Sequence, residues 1–195
     1  MSTTVIIKYN AGNIRSVLFA LERIGVEAVV TDDPLTIRAA ERVIFPGVGE
    51  ASSAMAYLKE KGLDVLIPSL KQPVLGICLG MQLMCAFSEE NDTSCLGIFP
   101  VTVKKFGNDK GLKVPQIGWN VISNLQSPLF NEVPDNSYVY FVHGFYVPLN
   151  DGTIATAEYG LPYSAAIRKD NFMAVQFHPE KSGDMGEQIL RNFLF

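Results

Sequence analysis

Val74-Leu75-Gly76-Ile77-Cys78-Leu79-Gly80-Met81-Gln82 decides how this chain is read. Val74, Leu75 and Ile77 form a short apolar run that predicts a buried strand. Leu79, Met81, Gln82, Leu83, Met84, Cys85 and Phe87 predict a helix. Between the two stands Cys78, flanked by Gly76 and Gly80. Strand, G-x-C-x-G and helix together spell a nucleophile elbow with sulfur in place of oxygen. Its geometry pushes the Cys78 sulfur out at the carboxyl end of the strand. The alternative is a buried structural cysteine, the usual fate of a free thiol. Cys85 and Cys95 fit that alternative better, since neither has flanking glycines or a strand-to-helix switch.

Outward from the elbow, strands and helices alternate. Residues 5–8 read as a strand, and Asn10-Ala11-Gly12-Asn13 as a turn with Asn13 placed to cap a helix. Ile14, Val17, Leu18, Leu21 and Ile24 recur at helical spacing until Gly25. Residues 26–30 predict a strand broken by Asp32-Asp33-Pro34, and residues 42–45 another, stopped by Pro46-Gly47-Val48-Gly49. Helical stretches come next at 50–61 and 63–70. This alternation predicts a parallel sheet with helices on its faces. After Cys95 the stretches 97–106, 114–125, 137–142, 152–158, 164–168 and 172–177 read as a more antiparallel β region, and 183–195 as a closing helix. With no repeat or linker in sight, residues 1–195 are expected to form one domain. Ligands of open α/β sheets bind beyond the carboxyl ends of the strands, where both Cys78 and the 46–49 loop fall.

Composition narrows the function. The 195 residues are 48% hydrophobic and 18% charged, which suits a well-buried sheet. A net charge of -4 gives no basic footprint for nucleic acid. Three cysteines without framework spacing suggest reduced thiols and a cytoplasmic setting. The N-terminus lacks signal-peptide character, and no apolar run is long enough to span a membrane. The sequence has no C-x-x-C or H-E-x-x-H motif, so no metal and no cofactor are expected.

Only two histidines, His143 and His178, are available as a base for Cys78. His178 lies in Gln176-Phe177-His178-Pro179-Glu180, where Pro179 favours an extended conformation. In an extended segment side chains two apart share a face, so Glu180 orients one ring nitrogen and leaves the other for Cys78. His143 has no acid two residues away and reads as a structural histidine at a strand end or as part of a substrate wall. A thiolate attacking a carbonyl needs donors for the oxyanion. The N–H of Leu79 is the natural first donor. Gly47-Val48-Gly49, where glycines free the Val48 peptide to turn inward, is the second.

These residues carry a resemblance. Pro46-Gly47-Val48-Gly49, the G-I-C-L-G elbow and Q-F-H-P-E share the order and spacing of the class I (triad) glutamine amidotransferases, over nearly the whole chain. Pro115-Gln116-Ile117-Gly118-Trp119-Asn120, Tyr140-Phe141-Val142-His143 and Lys181-Ser182-Gly183 resemble, more narrowly, the glutaminase subunits of imidazole glycerol phosphate synthases. The resemblance implies a flavodoxin-like α/β fold: a central, mostly parallel sheet flanked by helices, with an antiparallel β extension. It implies a triad of Cys78 as nucleophile, His178 as base and acid, and Glu180 as orienter, releasing ammonia from glutamine through a thioester. The implied oxyanion donors are Val48 and Leu79, and the implied glutamine-binding set is Gly47, Gly49, Gln82, Glu90, Gly144 and Phe145. The implied partner, in a heterodimer, is a cyclase subunit with a (β/α)8 barrel. It would take the ammonia to make imidazole glycerol phosphate and AICAR in histidine biosynthesis, meeting this chain at Trp119, Asn120 and Lys181. Neither nucleic acid nor membrane is an implied partner.

Two positions depart from the family pattern: Gln116, where many relatives carry His, and Gly144, where Ser or Thr is common. Three other readings stay open on sequence. A paralogous glutaminase subunit would feed another synthase, such as one aminating surface sugars. A cysteine peptidase or esterase would need no partner, and an interaction module would need no intact Cys, His and Glu.

Overall fold

Apolar four-residue strands, too short to show a period of their own, are sorted by the helices between them. A computed structural model describes residues 3–10, 12–107 and 111–195; Met1, Ser2 and the Ala11 of the expected turn lie outside the described residues. The first half runs β1 (Thr4–Ile7), α1 (Ile14–Arg23), β2 (Ala28–Thr31), α2 (Pro34–Ala39), β3 (Arg42–Phe45), α3 (Ala51–Glu60), α4 (Leu63–Ser69), β4 (Val74–Ile77) and α5 (Leu79–Met84). The second half runs β5 (Cys85–Ser88), β6 (Thr93–Ser94), β7 (Phe99–Lys105), β8 (Gln116–Ile122), β9 (Ser137–His143), β10 (Phe145–Tyr146), β11 (Thr153–Glu158), β12 (Pro162–Lys169), β13 (Phe172–Val175) and α6 (Gly183–Leu194).

The main sheet has seven strands in the order β11-β12-β13-β4-β3-β1-β2. From β13 to β2 every pairing is parallel, and β11 and β12 extend the sheet antiparallel. This is the expected fold class. Counted from the far edge, 2-1-3-4-13 is the flavodoxin-type order. Alternation along each strand splits the core in two. Val5, Ile7, Val43, Phe45 and Val74 pack under α2, α3, α4 and α5. Ile6, Ile44, Leu75, Ile77 and Val175 pack under α1 and α6. A four-stranded sheet, β10-β7-β5-β6, and the β8-β9 ribbon lie beside this layer.

Three local expectations are corrected. Asp32-Asp33-Pro34 does more than break a strand. Asp33 caps α2, its carboxylate accepting the Thr36 N–H at 2.8 Å, with Pro34 as the first helical residue. The helix after Cys78 stops at Met84, and Cys85–Ser88 is a strand pairing with β7. The strand leading to His178 ends at Val175, and a 3-10 turn over Pro179–Lys181 carries Glu180.

Candidate active site

Four parallel strands deliver the site, each from its carboxyl end: β1 leads to Tyr9 and Asn13, β3 to the 46–49 loop, β4 to Cys78 and β13 to His178. Cys78 holds φ 52° and ψ −106°, a backbone state costing about 1–3 kcal/mol for a residue with a side chain. The surroundings enforce it. The Cys78 N–H is donated to Val175 at 2.8 Å, and its carbonyl accepts from Gln82 at 3.2 Å. Gly80 is required because α5 crosses β3 so closely that a Cβ would fall 1.9 Å from the Phe45 carbonyl oxygen. The Cys78 sulfur sits 3.6 Å from the Val142 carbonyl and 3.7 Å from the Gln176 amide nitrogen.

His178 is fully buried, and its Nδ1 lies 2.7 Å from Glu180 Oε1. Its Nε2 has no hydrogen-bond partner among the described residues, nor has Glu180 Oε2. Burial alone would push the His178 imidazole down. The charge on nearby Cys78 and the Glu180 carboxylate outweigh burial and raise it well above its ordinary value. His178 and Glu180 therefore lie side by side, though a 3-10 turn rather than an extended segment brings them together, and Nε2 is left without a partner among the described residues.

The other histidine and the other cysteines behave differently. His143 ends β9, with Nδ1 donating to the Phe145 carbonyl at 2.7 Å and Nε2 3.1 Å from the Gln116 side-chain amide. Burial holds it down at about 4, so it is neutral. It is the bonded strand-end histidine expected, and it also lines the cavity at Cys78. Burial pushes the Cys85 thiol up, and the Cys95 thiol to about 11, which keeps both inert.

In front of Cys78 opens a cavity of about 220 Å³. Val48, Gly49, Leu79, Gln82, Glu90, Gly144 and Phe145 line it together with Cys78; Gly47 does not. Glu90 accepts the Ala51 N–H at 2.8 Å, and partial burial raises its carboxyl. A shallower depression of about 710 Å³ over residues 124–135 holds no cysteine or histidine. The cavity thus sets the Cys78 thiol and the half-buried Glu90 carboxylate around a space the size of a small amino acid.

Comparison with known proteins agrees with this geometry. The family model "Glutamine amidotransferase class-I" matches residues 5–195. The chain belongs to the class I glutamine amidotransferases. Among curated relatives of this amidotransferase, "Imidazole glycerol phosphate synthase subunit HisH" of Bacteroides fragilis is 60% identical over 190 residues, covering 97% of each chain. The protein of that name from Yersinia pseudotuberculosis is 46% identical, again over 97% of each chain. Solved structures share the fold at low identity. A glutamine amidotransferase superposes with a TM-score of 0.73 at 19% identity, covering 97% of this chain and 96% of that one. PurLQS from Thermotoga maritima reaches 0.68 at 17%, covering 98% and 97%.

In the loop that the sequence reading assigns to an oxyanion, the backbone groups of the amidotransferase are already engaged. The Leu79 N–H points not into the cavity but to the Gly47 carbonyl, at 3.2 Å. The Val48 carbonyl accepts the Gly12 N–H at 3.0 Å. Gly47 is pinned from behind: Tyr9 donates to the Pro46 carbonyl at 2.6 Å, and a Cβ on Gly47 would fall 1.9 Å from the Tyr9 hydroxyl oxygen. Gln82 is not a helix-surface residue. It is buried, its amide nitrogen 3.1 Å from both the Phe145 carbonyl and Gln176 Oε1. Trp119 is exposed and edge-on to Tyr140 at 6.0 Å, with the Lys181 ammonium 6.0 Å from the same ring. Asn120 donates to the Glu158 carbonyl at 2.9 Å.

Two residues beside His178 and the 46–49 loop had no part in the site as read from sequence, though Asn13 was expected to cap a helix. Asn13 does not cap α1 with its side chain. In a left-handed conformation, φ 76°, it sends its amide to Glu180 Oε1, 3.5 Å from His178 Nδ1. Its residue type had a signal, since Asn tolerates that conformation, but its partners are far off in sequence. Tyr9, whose hydroxyl burial drives up, had none.

Proposed function

We propose that this amidotransferase is the glutaminase subunit of an imidazole glycerol phosphate synthase, hydrolysing glutamine and passing ammonia to a cyclase subunit. The observation that carries the reading is 60% identity along 97% of a curated subunit of that name. The reading takes residues 1–195 as one domain working in the cytoplasm. Among the described residues no helix is long and apolar enough to cross a membrane.

In the proposed reaction His178 Nε2 takes the Cys78 proton as sulfur attacks the glutamine carboxamide carbon. The tetrahedral intermediate collapses, breaking the C–N bond, and His178 returns the proton to the leaving nitrogen as ammonia forms. A water, deprotonated by His178, then attacks the thioester. Glutamate leaves, and the proton goes back to sulfur. Glu180 holds the imidazole through Nδ1 in both halves. Gln82, Glu90 and the Gly144-Phe145 backbone, with Gly49 beside them, would hold the amino acid end of glutamine.

The oxyanion requires a change at the loop. Gly47 C=O and Val48 N–H belong to one peptide unit. Rotating that unit withdraws the carbonyl from Leu79 and turns the Val48 N–H inward, supplying both donors at once. Gly47 and Gly49 make the rotation sterically open on the cavity side.

The partner reading is supported by the β8-β9 ribbon. Ile117 and Trp119 on β8 and Tyr138 on β9 are large and exposed, and Trp119 pairs with Tyr140 across the ribbon. Lys181 stands beside them, one residue from Glu180. A barrel subunit docked on this face would cover apolar rings next to the triad and receive ammonia from it.

The test is glutamate release from glutamine by the purified chain, alone and with the cyclase subunit and its phosphoribulosyl substrate. Slow release alone and fast release in the complex are expected, with none from Cys78→Ala in either state. Full activity in Cys78→Ala would overturn the mechanism. No response to the cyclase subunit would redirect the ammonia to another synthase.

A further inference from the structure

Gln176 is fully buried, and its amide nitrogen lies 3.7 Å from the Cys78 sulfur. Which end of that amide faces sulfur is set by the network behind it. The Phe145 carbonyl is only an acceptor, so the Gln82 atom 3.1 Å away is its nitrogen. That same nitrogen lies 3.1 Å from the Gln176 side chain, which must therefore present its oxygen there. The NH2 of Gln176 is left to face sulfur. On the other side the sulfur meets the Val142 carbonyl at 3.6 Å, an acceptor only.

We propose that Gln176 is a dedicated hydrogen-bond donor to the Cys78 thiolate, oriented through Gln82 by the Phe145 carbonyl, while the Val142 carbonyl serves the thiol. The two forms of the sulfur thus each have one matched neighbour. The thiol S–H is donated to Val142; once His178 holds the proton, the sulfur accepts from Gln176. A donor on the ionised form favours ionisation and keeps the lone pair for attack directed away from the amide. Gln82, in this reading, is a positioning residue as well as part of the cavity wall. The inference rests on Cys78 being the nucleophile.

Other titratable groups face the same sulfur and must be held constant. His178, backed by Glu180, and the buried Tyr9 hydroxyl act on it directly. Glu90 and the neutral His143 line the same cavity. Unlike all of them Gln176 cannot ionise, so replacing it with another side chain that cannot ionise leaves the titrating surroundings intact.

The experiment measures the rate of Cys78 alkylation by iodoacetamide against pH in the whole chain, with the modified cysteine identified by peptide mass. Gln176→Met keeps the length and removes the donor. The midpoint of its pH–rate profile should rise by about one pH unit, a rate about tenfold lower at neutral pH. Gln176→Glu keeps the shape and, once ionised, sets both an acceptor and a negative charge against the sulfur, so its midpoint should rise further; it also serves should the Met variant fail to fold. Circular dichroism confirms folding of each. Profiles that coincide with the native protein in a folded variant would overturn the role of Gln176. A native Cys78 that resists alkylation at every pH would overturn the nucleophile reading and the inference with it.

Discussion

The N–H of Leu79 is donated to the carbonyl of Gly47 at 3.2 Å, so the residue after the nucleophile and the loop after β3 satisfy each other. While that bond stands, the first donor of the proposed oxyanion hole is spent. One such donor is worth about 2.7–4 kcal/mol, or about 10²–10³ in rate. The chain alone should therefore turn glutamine over slowly, and a partner that favours the rotated Gly47-Val48 peptide should raise kcat by that factor or more, with KM much less affected. Steady-state kinetics with and without the partner decide this; a partner effect confined to KM would contradict it.

Asn13 should matter to the chemistry more than to the fold. Its amide donates to the same Glu180 oxygen that holds His178. Asn13→Gly preserves the left-handed backbone and removes the donor, so it separates the two roles. Its glutaminase kcat should fall about tenfold, on the order of one charged hydrogen bond, with melting temperature nearly unchanged. A variant with native kcat would reduce Asn13 to a turn residue.

His143 makes stability depend on acid. Its pKa falls from 6.5 unfolded to about 4 folded, so between those values the unfolded chain binds a proton that the folded chain refuses. Stability from this group is fully present above about pH 6.5 and is lost as pH falls through about 4. The gap is worth about 3 kcal/mol. Urea unfolding across this range should show a shallower pH slope for His143→Gln than for the native protein. Parallel slopes would contradict the assignment, whatever the variant's absolute stability.

Trp119 should be silent in the isolated chain. It is 56% exposed and rests only edge-on against Tyr140. Trp119→Ala should leave thermal unfolding within about 0.5 kcal/mol of native, yet weaken the complex by about 2 kcal/mol or more, as anchoring aromatics do. Titration calorimetry against the cyclase subunit measures the second, and an unchanged affinity would move the interface off this ribbon.

The fold was readable because buried parallel strands announce themselves as bare apolar runs: β3 spans residues 42–45 as expected, and β4 ends at the cysteine. Two short elements were not. α2 has only six residues, too few to show a helical period, and its N-cap signature was read as a breaker. The run from Leu79 to Phe87 is apolar on every side, so period could not tell where α5 yields to β5. At the site, local pairs were legible: the glycines around Cys78, and the two-residue spacing of His178 and Glu180. Asn13 and Gln176 were not, because their partners lie 167 and 98 residues away and meet only through the sheet order.

That sheet order has one more consequence. β13 lies directly against β4, with Val175 opposite Ile77, so the strand bearing the base is the last of the seven to be synthesised and docks beside the strand bearing the sulfur. A chain emerging from the ribosome holds its thiol long before it holds its imidazole. Until β13 seats, Cys78 lacks its proposed proton acceptor and the carbonyl of Val175 that fixes its backbone. A chain cut before β13 should therefore release no ammonia from glutamine, however well its first four strands pair.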